Sequence, residues 1–202
     1  ETVCVLTNMD EPLGYSVGNT LEVIEAIEAL KGNMLDDVKD VVINLCIQMM
    51  NLSGKYPNIL ENKGKILEVI ENGKAFEKFK ELVAKQGGDV SYIEDPNKFE
   101  KAPIITPVLS EFEGYIEELD AEKVGKAGVE LGIGRIHKED SIDSRVGLIF
   151  NKKIGDEVKK GDILAYVHAA SPEKAEKCIE QIKEAYKIGT KKISKKNIIE
   201  II

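Results

Sequence analysis

The sequence contains no tryptophan, and aromatic residues make up only 5% of its 202 residues. Proteins that hold single-stranded bases do so largely by stacking them on aromatic side chains. The charge balance points the same way, because the net charge is −8 and the basic residues are interspersed with acidic ones. A surface that follows a phosphate backbone needs clustered positive charge. We therefore expect no nucleic acid as a partner.

Cysteine and histidine are also scarce. Cys4, Cys46 and Cys178 stand singly within apolar patterns, at spacings that fit neither a zinc site nor a disulfide framework. Neither of the two histidines, His137 and His168, has a Cys, Asp or Glu at metal-ligand spacing together with a further partner of the right kind. We expect reduced, buried thiols and a cytoplasmic location.

A long hydrophobic run is missing as well. The longest one, Val38 to Met50, is interrupted by polar residues at helical spacing and is too short to span a bilayer. The chain begins at Glu1 with no signal peptide before its first strand pattern, and we expect no membrane partner. With 43% hydrophobic residues, the chain can bury the core of one or two domains.

Helical periodicity dominates the first part of the chain. A short apolar strand is predicted at Thr2–Leu6. Beyond it, apolar residues recur at three and four positions, and glycine or proline ends each pattern. The predicted helices cover residues 20–31, Leu35–Leu52, Leu60–Glu71 and Lys74–Gln86.

The pattern changes after residue 89. Prolines and scattered charges over Asp89–Pro107 indicate a linker, and beyond it apolar residues alternate with polar ones. Short strands are predicted around Val108–Ile116, Val146–Phe150 and Ile163–Val167, and an edge strand is predicted at Asn197–Ile202. Helices are predicted at Ala121–Leu131 and at Pro172–Ile188, the second of them with Ser171 as its N-cap. We expect an α/β fold with a domain of residues 1–103 and a small β-rich α+β domain of residues 104–202.

A loop rich in proline and glycine follows the first strand and leads into the first helix. It reads Thr-Asn-Met-Asp-Glu-Pro-Leu-Gly-Tyr-Ser-Val-Gly-Asn-Thr over residues 7–20. Asn19 is predicted to cap the helix, with Glu22 three residues later. Such loops bind ligands and ions in α/β sheets, because they offer free carbonyls beside the unpaired N–H groups of a helix N-terminus.

The stretch from Leu6 to Glu25 resembles the pyrimidine-nucleoside phosphorylase and thymidine phosphorylase family. The resemblance continues in order through most of the chain, in the segments Asn72–Ala75, Gln86–Asp89, Gly114–Ile116, Leu131–Arg135, Asp140–Asp143 and Ile154–Asp162. It implies the end of a nucleoside-phosphorylase-type α/β domain, followed by a C-terminal domain that resembles a barrel-sandwich hybrid.

The family implies a reaction and its partners. Its members transfer the pentose of thymidine or uridine to phosphate, the co-substrate, and release the free base, and they form homodimers. Their N-terminal half carries the phosphate loop and the residues that hold the pyrimidine, and this chain lacks those motifs. We expect the chain to be the C-terminal half, to contain no catalytic or substrate-binding residue of its own, and to be inactive alone.

The family also implies a potassium ion near the phosphate loop. Carried over by position, its ligands here are the backbone carbonyls of Leu13 and Ser16 and the carboxylate of Glu25, with the remaining ligands in the N-terminal half. Carbonyl oxygens suit a large monovalent cation, and one carboxylate supplies the compensating charge. The alternative is that Glu25, with Glu22 and Glu28, belongs to a solvated helix face.

Two further pairs of polar residues have open roles. Asn8 and Asp10 either line the cleft of the enzyme or shape the turn after the first strand. Arg135 and His137 follow a glycine-rich turn that either faces the substrate or has no role in binding.

Two other functional classes compete with the phosphorylase. The related anthranilate phosphoribosyltransferase branch shares the first fold but lacks a β domain after residue 105. A biotinyl or lipoyl carrier module is suggested by the hairpin-like segment Lys153–Ala165. A carrier needs a lysine at the hairpin tip. The corresponding position here is Ser171, which is followed by Pro172, and a serine cannot form the amide linkage.

Overall fold

The computed structural model describes residues 1–56, 58–135 and 137–202. In chain order its elements are β1 (Val5–Thr7), β2 (Ser16–Val17), α1 (Asn19–Leu30), α2 (Asp36–Leu52), α3 (Ile59–Glu71), α4 (Lys74–Lys85), α5 (Ser91–Glu94), a 3₁₀ turn (Pro96–Lys98), β3 (Ile104–Leu109), β4 (Gly114–Leu119), α6 (Ala121–Leu131), β5 (Gly147–Phe150), β6 (Glu157–Val158), β7 (Ile163–Ala169), α7 (Pro172–Ala185), β8 (Tyr186–Gly189) and β9 (Ile198–Ile201).

The chain forms two compact units. The first consists of Glu1–Asn8, Ile24–Lys98 and Lys196–Ile202, and the second of Met9–Val23 and Phe99–Lys195. The mixture of helices and sheets confirms the α/β class in its broad sense. The division into domains 1–103 and 104–202 stays a prediction. Within the described residues no helix combines the length and apolar character that a bilayer crossing requires.

Helices dominate the first unit. α2 and α3 pack through a small apolar cluster whose buried members are Ile43, Ile47 and Ile66. Asn62 is fully buried beside this cluster, and its Nδ2 donates to Asn51 Oδ1 and to the Tyr56 carbonyl, both at 2.7 Å. Strand β1 pairs antiparallel with β9 in the same unit. The helical periodicity predicted the ends of α1 to α4 to within one residue, whereas β1 begins at Val5 instead of Thr2.

The second unit is built around one apolar core between two antiparallel sheets. The larger sheet has the order β2-β5-β7-β3 and the smaller one β6-β4-β8. Helices α6 and α7 pack on each other and add Val124, Leu131 and Ile182 to the core. Its largest fully buried side chain is Phe150 of β5. The expected change from helical to alternating periodicity is thus confirmed after residue 103.

Two predictions about element ends were wrong. α7 stops at Ala185 instead of Ile188, because Tyr186 pairs with Leu119 as the first residue of β8 and its hydroxyl donates to the Lys152 carbonyl at 2.7 Å. Asn19 is the first residue of α1 and its side chain is used elsewhere: Nδ2 donates to the Ile133 carbonyl at 3.0 Å.

Candidate ion-binding loop

Residues 10–16, which we call the Pro-Leu-Gly loop, lead into strand β2 in the second unit, and the strand begins at Ser16. Gly14 is buried and has a φ of 71°, a left-handed conformation that residues with a Cβ rarely adopt. The Asp10 carbonyl accepts a hydrogen bond from the Ala121 N–H at the start of α6, at 3.2 Å. The sequence Pro-Leu-Gly therefore fits the tight path of the backbone here.

The end of the loop is fixed by strand β5. Ser16 and Val17 pair with Ile149 and Leu148, and the Phe150 N–H donates to the Tyr15 carbonyl at 2.7 Å. These bonds hold β2 at the edge of the larger sheet.

Two glycines allow β2 and β5 to approach closely. A Cβ on Gly18, whose φ is 136°, would lie 2.6 Å from the Val146 carbonyl oxygen. A Cβ on Gly147 would lie 2.4 Å from the Val17 carbonyl oxygen. Neither position has room for a side chain, because the obstructing atoms belong to the backbone. The close approach of β2 and β5 thus occurs immediately before the first turn of α1, which begins at Asn19.

A buried lysine lies against the inner side of the loop. Lys153 follows β5, and the residue is only 5% exposed. Its Nζ donates to the Pro12 carbonyl at 2.7 Å and to the Gly14 carbonyl at 3.0 Å. The same nitrogen lies 5.5 Å from the centroid of the Tyr15 ring, within the range of a cation–π contact.

Glu11 supplies negative charge at the same place. The residue is 7% exposed, and its Oε1 lies 3.3 Å from Lys153 Nζ. Its Oε2 accepts a hydrogen bond from the Ile154 N–H at 2.8 Å. Lys195 also forms an ion pair with Glu11, and burial lowers the pKa of that lysine. Glu11 thus joins three parts of the second unit.

The predicted potassium ligands lie in different parts of the molecule. Leu13 and Ser16 belong to the Pro-Leu-Gly loop, where the Leu13 side chain is half-exposed and Ser16 begins β2. Glu25 is half-buried on the part of α1 that belongs to the first unit. Their common role as ion ligands stays a prediction.

Other candidate residues occupy turns. His137 is exposed, and its backbone N–H donates to Asp140 Oδ2 at 2.8 Å. Arg135 is exposed on the same segment after α6. The Asn8 N–H donates to the Asn197 carbonyl at 2.9 Å within the first unit. The roles of these residues and of Asp10 in binding remain predictions.

A family of known proteins matches part of the second unit. The family model described as "Pyrimidine nucleoside phosphorylase C-terminal domain" matches residues 115–189, which include β4 to β8. A protein of Bacillus subtilis (strain 168) named "Pyrimidine-nucleoside phosphorylase" is 42% identical over 169 residues, which are 84% of this chain and 39% of the relative. The chain is related to the C-terminal part of the pyrimidine-nucleoside phosphorylases.

Further relatives with the same name agree. One from Geobacillus stearothermophilus is 38% identical over 169 residues, and one from Staphylococcus aureus (strain N315) is 39% identical over 168 residues. Both alignments cover 39% of the relative, with 84% and 83% of this chain. The chain thus spans well under half the length of the curated phosphorylases that it matches, and the predicted resemblance is confirmed.

The relationship to the phosphorylases disfavours the carrier module, and the local structure at Ser171 also disfavours it. Ser171, at the position of the carrier lysine, caps α7: its Oγ accepts a hydrogen bond from the Lys174 N–H at 3.3 Å. Pro172 occupies the first turn of the helix. Ser171 therefore has the structural role of a helix N-cap.

Proposed function

We propose that the whole protein catalyses the reversible phosphorolysis of pyrimidine nucleosides. Phosphate attacks C1′ of the sugar, the bond from C1′ to the pyrimidine nitrogen breaks, and a pentose 1-phosphate and the free base result. The identity of 42% with the Bacillus subtilis relative, extending over 84% of this chain, is the observation that carries the proposal. The family resemblance further supports a homodimer that works in the cytoplasm.

In this proposal the chain contributes support to the active site. The residues that hold phosphate and pyrimidine belong to the part of the enzyme that this chain does not match. Residues 104–202 are proposed to form a domain that resembles a barrel-sandwich hybrid, and the two antiparallel sheets around one core, to which β2 also contributes, support that description. The 202 residues alone are therefore proposed to be inactive.

The Pro-Leu-Gly loop is the chain's proposed contribution to a potassium site. Leu13 and Ser16 offer backbone carbonyls and Glu25 a carboxylate. One observation supports a monovalent cation at this loop. The carbonyls of Pro12 and Gly14 already accept hydrogen bonds from a monovalent cation, an ammonium group. A potassium ion held by these residues would supply one positive charge to the site.

An assay of base release tests the proposed reaction. We expect the longer protein that contains this chain to release uracil from uridine or thymine from thymidine, only when phosphate is present. The Bacillus subtilis relative is the positive control. Absence of phosphate-dependent release from the longer protein contradicts the proposed function. Release by the 202-residue chain alone, above a heat-inactivated sample, contradicts the proposed division of roles.

Glu25→Gln in the longer protein tests the ion site. The amide oxygen can still coordinate potassium, but the compensating negative charge is lost, so we expect half-maximal activation to need about tenfold more potassium. Steady-state rates against potassium concentration measure the shift. Glu28→Gln, on the same helix and in an ion pair with Lys31, is the matched control and should leave the curve unchanged. An unchanged curve for Glu25→Gln would return that residue to the solvated helix face.

A further inference from the structure

The inner side of the Pro-Leu-Gly loop has the features of a cation site. Two backbone carbonyls, one carboxylate oxygen and the face of one aromatic ring surround a single point, and the Lys153 ammonium occupies it. An ammonium group has three N–H donors and no acceptor. The three oxygens, of Pro12, Gly14 and Glu11, lie 2.7, 3.0 and 3.3 Å from Nζ.

The chemistry of these donors favours a monovalent cation. Backbone carbonyls carry only partial negative charge, and carbonyl oxygens are the ligands with which proteins replace the hydration shell of such ions. The carboxylate of Glu11 supplies one formal negative charge, which Lys153 shares with Lys195. The Tyr15 ring adds the attraction of its π-face.

The position of the ammonium explains how the loop keeps its shape. Pro12 and Gly14 are two residues apart, and the turn at Gly14 directs both carbonyls to the same nitrogen. Without the ammonium, the Pro12 and Gly14 carbonyls would lose the donor that they share, and Glu11 would keep Lys195 as its remaining ion-pair partner. Buried polar groups that lose their partner are strongly destabilising.

We propose that residues 11–15 form a monovalent-cation site whose resident cation is the Lys153 ammonium, and that a primary alkylammonium ion from solution fills this site when the side chain is removed. Lys153 is thus a positioning residue for the loop. It fixes the backbone through its positive charge and its three donors.

Chemical rescue of Lys153→Ala tests the proposal in the full chain. The substitution removes Cγ, Cδ, Cε and Nζ, which together correspond to n-propylammonium. We expect the variant to lose about 10 °C in Tm, because a nearly buried carboxylate loses a partner. Added n-propylammonium chloride should then raise its Tm saturably by about 4 °C or more, since a ligand that binds only the folded state stabilises it.

Matched controls separate the site from general effects of the amine. Lys152→Ala removes the neighbouring lysine, whose Nζ donates to the exposed Glu157 carbonyl, and should show no saturable response. Sodium chloride of the same ionic strength and 1-propanol should not rescue Lys153→Ala. Equal responses to n-propylammonium in Lys153→Ala, Lys152→Ala and the parent protein would overturn the proposal.

A second variant keeps the test decisive if Lys153→Ala fails to fold. Lys153→Met retains the apolar stem and removes only the charge and the donors. We expect the amides that donate to this loop, those of Ile154, Phe150 and Ala121, to exchange with deuterium at least about tenfold faster than in the parent, which corresponds to about 1.4 kcal/mol of lost protection. Strand β7 should keep its protection, and Lys153→Arg should restore that of the loop. Unchanged exchange in Lys153→Met would overturn the proposal.

One consequence rests on the proposed function. Leu13 and Ser16 belong to the same loop, so Lys153→Met in the longer protein should raise the potassium concentration for half-maximal rate about tenfold. A parent enzyme without potassium activation would contradict the proposed potassium site, while amine rescue would still support the lysine-filled site. A potassium-activated parent whose curve is unchanged by Lys153→Met would contradict the positioning role.

Discussion

Glu11→Gln is expected to lower the free energy of unfolding by about 3–5 kcal/mol, the range for breaking a buried ion pair from one side. The amide keeps the shape of the side chain and can still accept the hydrogen bond from the Ile154 N–H. It has no charge, however, to offset the ammonium groups of Lys153 and Lys195. Both ammonium groups therefore lose their shared carboxylate, and that of Lys153 is nearly buried.

Urea unfolding followed by far-UV circular dichroism measures this loss. Glu113→Gln is the matched control, since Glu113 is exposed between β3 and β4 and its substitution should change stability by less than about 0.5 kcal/mol. Adding Lys195→Met to Glu11→Gln should cost less than Lys195→Met alone, because the pair is already broken. Equal stability of Glu11→Gln and Glu113→Gln would show that Glu11 does not organise the loop.

Gly18→Ala and Gly125→Ala should have opposite effects on stability. At Gly18 the added methyl group meets the Val146 carbonyl oxygen at 2.6 Å, and the φ of 136° is unfavourable for any residue with a Cβ. We expect a loss of about 3 kcal/mol from the clash and the backbone strain together. At Gly125, in the middle of α6, nothing lies within 4 Å of the added group, and alanine should add about 0.5–1 kcal/mol through helix propensity.

The same pair of variants reports on the loop. Gly18→Ala should also speed amide exchange in β2, because β2 must move away from β5 to accommodate the methyl group. Gly125→Ala should leave β2 unchanged. Thermal unfolding and amide exchange measure the two effects, and a destabilised Gly18→Ala with unaltered exchange in β2 would contradict the assignment of this glycine to the approach of β2 and β5.

Local sequence signals predicted most of the helical structure. α2, α3, α4 and α6 have apolar stripes of more than ten residues, and their ends carry glycine or a capping residue, as at Asp120 before α6. α5 has only four residues, too few for a period to be visible, and was included in the linker. β8 continues directly from α7, so no turn residue marked its start.

The candidate site was predicted only in part, for a different reason. The motif around Pro12 and Gly14 identified the loop, and the family resemblance supplied Leu13, Ser16 and Glu25 as ligands. Nothing in the sequence paired Glu11 with Lys153, because the two residues are far apart in the chain and meet only through the larger sheet. Each alone reads as an ordinary surface charge, and only the folded arrangement reveals that both are buried.

The ion pairs of Glu11 have a consequence for the order in which the protein is made. Lys153 and Lys195, which meet the carboxylate of Glu11, leave the ribosome much later than the Pro-Leu-Gly loop itself. Chains are synthesised from the N-terminus, and domains generally fold as units. The loop therefore lacks both charged partners until Lys195 has been translated, and it cannot reach its final arrangement before then.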